Sequence, residues 1–312
     1  MKLKTKQFEK RHGFTIIELL TVMSIIVILF GLLVPAMTLV KTYAKVVKQQ
    51  AQFHAIEAGL QMFHDDFGAY PPSDSMDRKE TGGPDNTTKG YPGAIKLAEA
   101  LMGQDLLGFH PSSIFKADGT NPLLTQPLDD LYPDNIDPKN PTDIHRDNLR
   151  SRKGPYLDIT RVSTAAIGAL YSKQTLANLV ICDEFPRVSI AGAGRRVGLP
   201  VLYYKANVSS MLDPDPNGGT LPANPDSTTY IYNHLDNQSL IELTPAWTTD
   251  TTIKNPWANN ETPGMVGFYT AIQNPKISSP PKPYNPDTYI LMSAGPDGLY
   301  GTRDDVLNFE KQ

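Results

Sequence analysis

The first pattern in the chain is an uninterrupted apolar run near the amino terminus. Leu19–Val40 contains 22 residues without a charged side chain. A helix of that length is about 33 Å long, enough to cross the roughly 30 Å hydrocarbon core of a bilayer. Residues 1–13 carry five Lys or Arg residues against one Glu. Because basic flanks stay in the cytoplasm, the pattern predicts one membrane span with residues 1–13 inside the cell and the rest outside.

The residues after the apolar run keep a helical pattern. Residues 41–67 contain no proline, and five apolar side chains recur there at steps of three and four residues. They form one helix face that predicts a buried contact with a sheet: Phe53, Ile56, Leu60, Phe63 and Phe67. Gly68 is suited to end this helix, and Pro71 and Pro72 prevent its continuation.

Short β-type runs separated by turn residues dominate the remaining chain. The pattern predicts helices at 94–102 and 160–178 and strands at 199–206, 229–232, 265–272, 288–293 and 306–309. Residues 108–155 predict a long loop, which is either a specific surface or a decoration without a partner. The expected fold class is α+β, with a long amino-terminal hydrophobic helix packed against a small carboxy-terminal antiparallel β-sheet with long loop insertions.

Composition narrows the possible functions. Only one of the 27 prolines, Pro35, lies in the first 70 residues, so a helical segment precedes a turn-rich body. The net charge of -4 argues against a nucleic-acid binder with a broad basic face. The single cysteine, Cys182, excludes a disulfide framework and any multi-cysteine metal site. We expect it to be a small buried side chain rather than a nucleophile.

Glu18 stands out because it places a carboxylate at the start of the apolar run. Placing a charged side chain inside a membrane costs free energy, so such a residue is a candidate functional residue until its partner is known. A free α-amino group would be such a partner, and cleavage just before Phe14 would create one. The apolar run is also longer than that of an ordinary signal peptide, and no A-x-A cleavage site follows it.

Gly13-Phe14-Thr15-Ile16-Ile17-Glu18, after a short basic leader, resembles the prepilin cleavage and methylation motif of type IV pilins and type II secretion pseudopilins. The resemblance implies a pilin-like fold, cleavage between Gly13 and Phe14 by a prepilin peptidase, and N-methylation of Phe14. It implies that Glu18 neutralises the amino terminus of a neighbouring subunit during assembly. Pro35 matches the family's mid-helix proline, where a kink or local melting is expected.

The implied organisation is a cytoplasmic leader at 1–13, a transmembrane and polymerisation segment at 14–40, an amphipathic helix at 41–67 and a periplasmic or extracellular body at 68–312. Loss of the leader removes five of 29 basic and one of 33 acidic residues, so the mature chain carries 24 minus 32, or -8.

The strongest motif of the body is the segment Tyr289 to Phe309, which carries three aspartates in a glycine-rich turn. Clustered carboxylates repel each other unless a cation compensates, and calcium accepts irregular sets of oxygen ligands. The stretch resembles the calcium-binding carboxy-terminal loop of the major pseudopilin of type II secretion, at 293–305 here. The resemblance implies Asp297 and Asp304 as ligands, Asp305 and Ser293 as second choices, and the Leu299 carbonyl as a backbone ligand. A surface hairpin without metal is the alternative.

Three further tracts resemble the same pseudopilins: residues 65–73, residues 154–157 and, with two substitutions, residues 255–259. Catalytic patterns are weak, since the histidines have no metal-ligand spacing. Asp183-Glu184 suits a solvated turn, and Gly192–Arg196 suits a turn with exposed arginines. We therefore do not expect an enzyme.

The predicted function is a structural pseudopilin of the bacterial inner membrane that polymerises into a homo-oligomeric filament driving type II protein secretion. Its implied partners are other pseudopilins, the inner-membrane assembly platform and the prepilin peptidase. One alternative is a type IV pilus subunit, major or minor, for adhesion or motility. Another is a membrane-anchored envelope hydrolase or binding protein whose anchor imitates a prepilin.

Overall fold

The computed structural model describes residues 14–74, 92–113, 115, 131–132, 143–171, 178–192, 194–210, 230–248, 250, 252–258, 264–278 and 281–310. The chain divides into two compact units, Met1–Ala44 and Lys45–Gln312, which are taken here in turn.

The first unit consists of the amino-terminal part of a 52-residue helix, α1 (Ile16–Phe67). Its large apolar side chains are exposed, from 45% for Ile26 to 85% for Ile16. The helix continues through Pro35, and the Thr38 hydroxyl donates to the Pro35 carbonyl at 2.7 Å. An apolar window of α1 is long enough to cross a membrane, and none of it is buried in the protein. This exposure is typical of a helix surrounded by lipid or by other helices, not of a soluble core.

Within its described residues, the second unit contains the rest of α1 and five further helices: α2 (Gly93–Met102), α3 (Asp143–Ser151), α4 (Ile167–Leu170), α5 (Gln238–Ile241) and α6 (Gly264–Ile272). A 3₁₀ turn at His234–Asn237 leads into α5. The described part of this unit also has nine strands: β1 (Ser163–Ala166), β2 (Leu179–Cys182), β3 (Val188–Ser189), β4 (Arg196–Val197), β5 (Leu202–Lys205), β6 (Gln273–Ser278), β7 (Pro281–Pro283), β8 (Tyr289–Ser293) and β9 (Val306–Leu307).

The strands form four small antiparallel sheets, of which the central one has the order β5-β8-β9. Leu202 pairs with Met292, and Met292 pairs in turn with Leu307. Along β5 and β8, successive side chains point to opposite faces of the sheet. Tyr203 and Leu291 belong to the hydrophobic cluster on one face, and the residues before and after each of them belong to the cluster on the other face. Because both faces are covered, every residue of β8 is buried, which explains its continuous apolar sequence.

Residues 49–63 of α1 pack against one face of this sheet and against α2. The contact is close at Gly59, where a Cβ atom would lie 3.1 Å from the Tyr156 carbonyl oxygen and 3.2 Å from Leu101 Cδ2. Four apolar side chains of the helix face are at most 3% exposed: Phe53, Ile56, Leu60 and Phe63. The distal half of the helix is thereby fixed to the central sheet.

Phe67, the fifth member of that face, is 36% exposed. It occupies the last position of α1, so it joins a satellite aromatic cluster instead of the main core. Its ring centroid lies 4.5 Å from that of Phe63 and 5.2 Å from that of Phe109.

The structure bears out several predicted elements, with a helix at 93–102 and strands within 199–206, 288–293 and 306–309. The predicted strand at 265–272 is wrong, because these residues form α6. Its aromatic and β-branched residues favour a strand locally, but Phe268, Tyr269 and Ile272 have helical spacing and are buried together.

Two further predictions need correction. Residues 163–166, expected in a helix, form β1, because Ala165 pairs with Val180 in β2 and this tertiary pairing overrides helix propensity. Residues 230–232, expected in a strand, form a bend whose Tyr232 hydroxyl donates to the Asn285 carbonyl. The predicted loop at 108–155 contains α3. Of the residues with a predicted structure, 114, 116–130, 133–142, 172–177 and 229 lie outside the described residues.

Replacing Leu60 by Ala is expected to lower the free energy of unfolding by about 2–5 kcal/mol, because the side chain is fully buried between α1 and the sheet. Denaturant unfolding of the full chain in detergent measures the effect. Met62→Ala is the control, since Met62 is 54% exposed on the same helix and should change stability by about 0.5 kcal/mol or less. Equal effects of the two substitutions would contradict the packing described here.

Candidate functional site

The first candidate site is the amino-terminal end of α1. The Thr15 amide and hydroxyl both donate to Glu18 Oε2 at 2.8 Å, and the Glu18 amide lies 3.3 Å from Thr15 Oγ1. This reciprocal arrangement is a capping box, which satisfies amide groups that the first helical turn leaves without partners. The Thr-x-x-Glu spacing of a capping box is present in the sequence. Only the charge of Glu18 was considered at the level of the sequence, so its capping role was not predicted.

Phe14 precedes the first helical residue and is 89% exposed. The peptide bond before Phe14 is the one at which the resemblance implies cleavage. Gly13, the residue on the other side of that bond, lies outside the described residues.

The second candidate site is the segment of residues 294–305 between β8 and β9, called the aspartate loop here. Its turns are formed by Gly295, Gly298 and Gly301, all with positive φ angles. Side-chain oxygens hold the backbone, because Asp304 Oδ2 accepts from the Asp297 amide at 2.9 Å and Asp305 Oδ2 from the Gly301 amide at 2.8 Å. The loop is thus ordered largely by its own carboxylates.

Oxygen atoms of this loop converge on the hydroxyl of Thr302. Thr302 Oγ1 lies 2.5 Å from Asp304 Oδ1, 3.3 Å from the Leu299 carbonyl oxygen and 3.5 Å from Asp305 Oδ1. One hydroxyl proton cannot satisfy three acceptors. Burial and the charge of Asp304 raise the pKa of the Asp297 carboxyl. The like charges of Asp297 and Asp304 therefore repel each other within the loop.

The donor chemistry fits a hard cation such as calcium, which takes carboxylate, carbonyl and hydroxyl oxygens together with water. Side chains alone would not complete the coordination of a metal ion, because the described residues contain no group of three His, Cys, Asp or Glu side chains that could hold one. The carbonyl of Leu299 and water would have to complete the ligand set.

Ser293, a second-choice ligand in the sequence, is fully buried at the end of β8. Its hydroxyl donates to Asp183 Oδ2 at 2.8 Å and accepts from the Gly295 amide at 3.1 Å. In this structure Ser293 therefore links the start of the aspartate loop to the buried Asp183 carboxylate.

Asp183 lies in the core, so the expectation of a solvated Asp183-Glu184 turn is wrong. Its Oδ1 accepts from the amides of Phe185 and Leu199, both at 3.2 Å. Burial raises its pKa to about 7. The space exists because residue 198 is glycine, where a Cβ atom would lie 1.7 Å from Asp183 Oδ1.

Two contacts hold the aspartate loop from outside. Arg187 Nε donates to the Pro296 carbonyl at 3.0 Å, and its guanidinium lies 5.0 Å from the centre of the Trp247 ring. Asn255 Oδ1 accepts from the Tyr300 amide at 2.9 Å. Sequence reasoning missed Arg187, which no local motif marks. The only indication of Asn255 in the sequence was that it lies in residues 255–259, which resemble a tract of the pseudopilins.

Comparison with known proteins gives one match. Residues 9–34 match the model of the prokaryotic N-terminal methylation motif. No curated protein and no solved structure matches the chain. The chain thus carries a type IV pilin-like prepilin signal, followed by an apolar helix that fits a single-pass membrane anchor.

Replacing Gly295 by Ala is expected to destabilise the protein by about 3 kcal/mol or more, because the added Cβ would lie 2.2 Å from the Asp304 carbonyl oxygen. Gly192→Ala is the matched control, since Gly192 also has a positive φ angle but no atom within 4 Å of the added Cβ. It should cost only the conformational penalty of about 1–2 kcal/mol. Thermal unfolding of both variants measures the difference, and similar losses would contradict the close packing at Gly295.

Proposed function

We propose that this protein is a pseudopilin, a structural subunit that is cut before Phe14, methylated there and polymerised into a filament that drives type II protein secretion. The observation that carries the proposal is the combination of the methylation motif at residues 9–34 with an apolar helix whose large side chains are exposed. Such a surface needs lipid before assembly and neighbouring helices after it.

Glu18 supplies the specificity of this assembly. A carboxylate near the hydrocarbon layer is costly when it has no cationic partner. The cleaved amino terminus of a neighbouring copy provides a positive charge at the correct end of the helix, and pairing compensates both groups. The partners are therefore further copies of this chain, related pseudopilins, the inner-membrane assembly platform and the prepilin peptidase.

Calcium in the aspartate loop is a separate part of the proposal. Asp297 and Asp304 would bind the ion, with Asp305, the Leu299 carbonyl and water as further ligands. The support is the oxygen cluster around Thr302 and the raised pKa of Asp297. The ion would offset repulsion between carboxylates and hold β8 and β9 together outside the cytoplasm.

The aspartate loop also favours the secretion role over a pilus subunit for adhesion or motility. Many pilus subunits close this region with a disulfide, whereas the only cysteine here, Cys182, is buried in β2 and is a free thiol. A cation would replace that covalent link. The role is structural, and the body in the periplasm would carry no catalytic centre.

Replacing Glu18 by Ala is expected to leave membrane insertion and cleavage intact but to abolish filament assembly and the release of exported proteins. Glu18→Gln is the control, because a neutral amide oxygen can still accept from Thr15 and preserve the helix cap. The charge hypothesis predicts that both variants fail. Secreted protein and filaments are measured in cells that produce each variant, and mass spectrometry verifies the methylated Phe14 terminus.

Three results would contradict the proposal. If the Glu18→Gln variant assembled into normal filaments, the charge of Glu18 would not be needed and its role would be helix capping only. Loss of surface pili with unchanged secretion would favour the pilus alternative. An intact Met1 terminus would remove the prepilin interpretation altogether.

Calcium is expected to raise the melting temperature of the full chain in detergent. At a concentration 100 times the dissociation constant, a ligand that binds only the folded state adds about 2.7 kcal/mol of stability. Asp304→Asn should abolish the shift, and Asp250→Asn, which changes an exposed aspartate outside the loop, should preserve it. The absence of any shift in the unmodified chain, with calcium in the millimolar range, would remove the metal from the proposal.

A further inference from the structure

Both ends of the aspartate loop are connected to α1 by side-chain hydrogen bonds. At the start of the loop, Ser293 bonds to Asp183, and the two chain neighbours of Asp183 bond to α1. Gln52 Nε2 donates to the Cys182 carbonyl at 2.9 Å, and Gln49 Oε1 accepts from the Glu184 amide at 2.8 Å. The path from loop to helix is thus continuous through one buried carboxylate.

The other end of the loop reaches the helix through Asn308, which follows β9. Asn308 Nδ2 donates to Glu57 Oε1 at 3.0 Å, and its Oδ1 accepts from the Leu291 amide at 2.9 Å. The two connections meet α1 at Gln49 and Gln52 and at Glu57, which lies about one and a half to two helical turns further along.

The glutamines are unusual members of a buried helix face. Gln49 is 0% and Gln52 is 4% exposed, although the face around them is apolar. Among the described residues, neither Gln49 Nε2 nor Gln52 Oε1 has a hydrogen-bond partner. Burial of half-satisfied amides costs free energy that leucine would not. Their bonds to residues 182 and 184 therefore have a role that apolar packing cannot supply.

The aspartate loop would be sensitive to such support. Its ligands must remain in place while like charges repel, and its turns depend on three glycines. If α1 fixes both ends of the loop, fewer conformations compete with the one in which Asp297, Asp304 and the Leu299 carbonyl approach each other. A preorganised loop binds a cation more tightly, and by reciprocity the bound cation stabilises the helix contact.

We propose that Gln49 and Gln52, with Asp183 and Ser293, are positioning residues that couple the docking of α1 to the order of the aspartate loop. The second half of the proposal, that a bound divalent cation strengthens the docking of α1, rests on the calcium site proposed above. Residues 49–57 of α1 would then be held most firmly when a cation occupies the aspartate loop.

The double variant Q49L/Q52L tests the first half without any metal. Hydrogen exchange is followed in the full chain in detergent with a chelator present. Amides of residues 294–305 are expected to exchange at least about fivefold faster, relative to those of α6, although neither glutamine touches the loop. Q61L is the matched control, because Gln61 lies on the same helix but is exposed and bonds to Asp65 and Tyr70.

The α6 amides show whether the variant only lowers global stability, since they would then accelerate equally. Ser293→Ala removes the hydrogen bond between the loop end and Asp183, which belongs to the same connection. This variant remains informative if the double variant does not fold. It is expected to accelerate exchange in α1 at residues 49–57 relative to α6. Unchanged loop exchange in Q49L/Q52L, unchanged helix exchange in Ser293→Ala, or acceleration no greater than that of α6 would overturn the coupling.

Titration with calcium chloride, followed by calorimetry, tests the second half. Q49L/Q52L should weaken calcium binding at least about fivefold, whereas Q61L should bind as the unmodified chain does. If the unmodified chain binds no calcium, the proposed metal site fails together with this second half, and the metal-free exchange experiment still decides the coupling. Equal calcium affinity in Q49L/Q52L and Q61L would overturn the cation's effect on the helix.

Discussion

The burial of one face of α1 against α2 and the β5-β8-β9 sheet is the constraint on which the second unit depends. Gly59 permits this approach, since any side chain there would meet the Tyr156 carbonyl and Leu101. The same contact fixes the sheet from one side while α6 covers it from the other. The positions of Asp183, Ser293 and Asn308 follow from it, and with them the two ends of the aspartate loop.

Glu18 caps the start of α1, and the proposed role in assembly would give it a second function. As the third residue of the helix it closes the capping box with Thr15 and stabilises the helix start. As a carboxylate beside an apolar run it also requires a positive partner in a medium of low polarity. The two roles are compatible, since a carboxylate has more acceptor sites than one cap uses. The proposed role in assembly therefore does not conflict with a well-formed helix.

Local periodicity was enough to predict the parts of the fold that depend on neighbours in sequence. The stripe of Phe53, Ile56, Leu60 and Phe63 and the helix at 93–102 are examples. It failed where partners are distant, as for Asp183, whose burial depends on Gly198 and on Ser293 110 residues away. It also failed for α6, where local β propensity opposes the helical spacing of Phe268 and Ile272. In the aspartate loop, the sequence indicated the carboxylates but not Arg187, which precedes β3 and donates to the Pro296 carbonyl.

The contacts around the aspartate loop bear on how a cation would act there. Arg187 and Asn255 already hold its backbone at Pro296 and Tyr300, and Gly295 lies directly against Asp304. A loop ordered to this extent needs little rearrangement on binding, so less of the binding free energy is lost to ordering. The remaining cost is the burial of Asp297 and its repulsion by Asp304, which together raise the pKa of Asp297 and which a bound positive charge would offset. The cation would therefore act by compensating charge in a preformed turn, and its effect would reach α1 through bonds that exist before it binds.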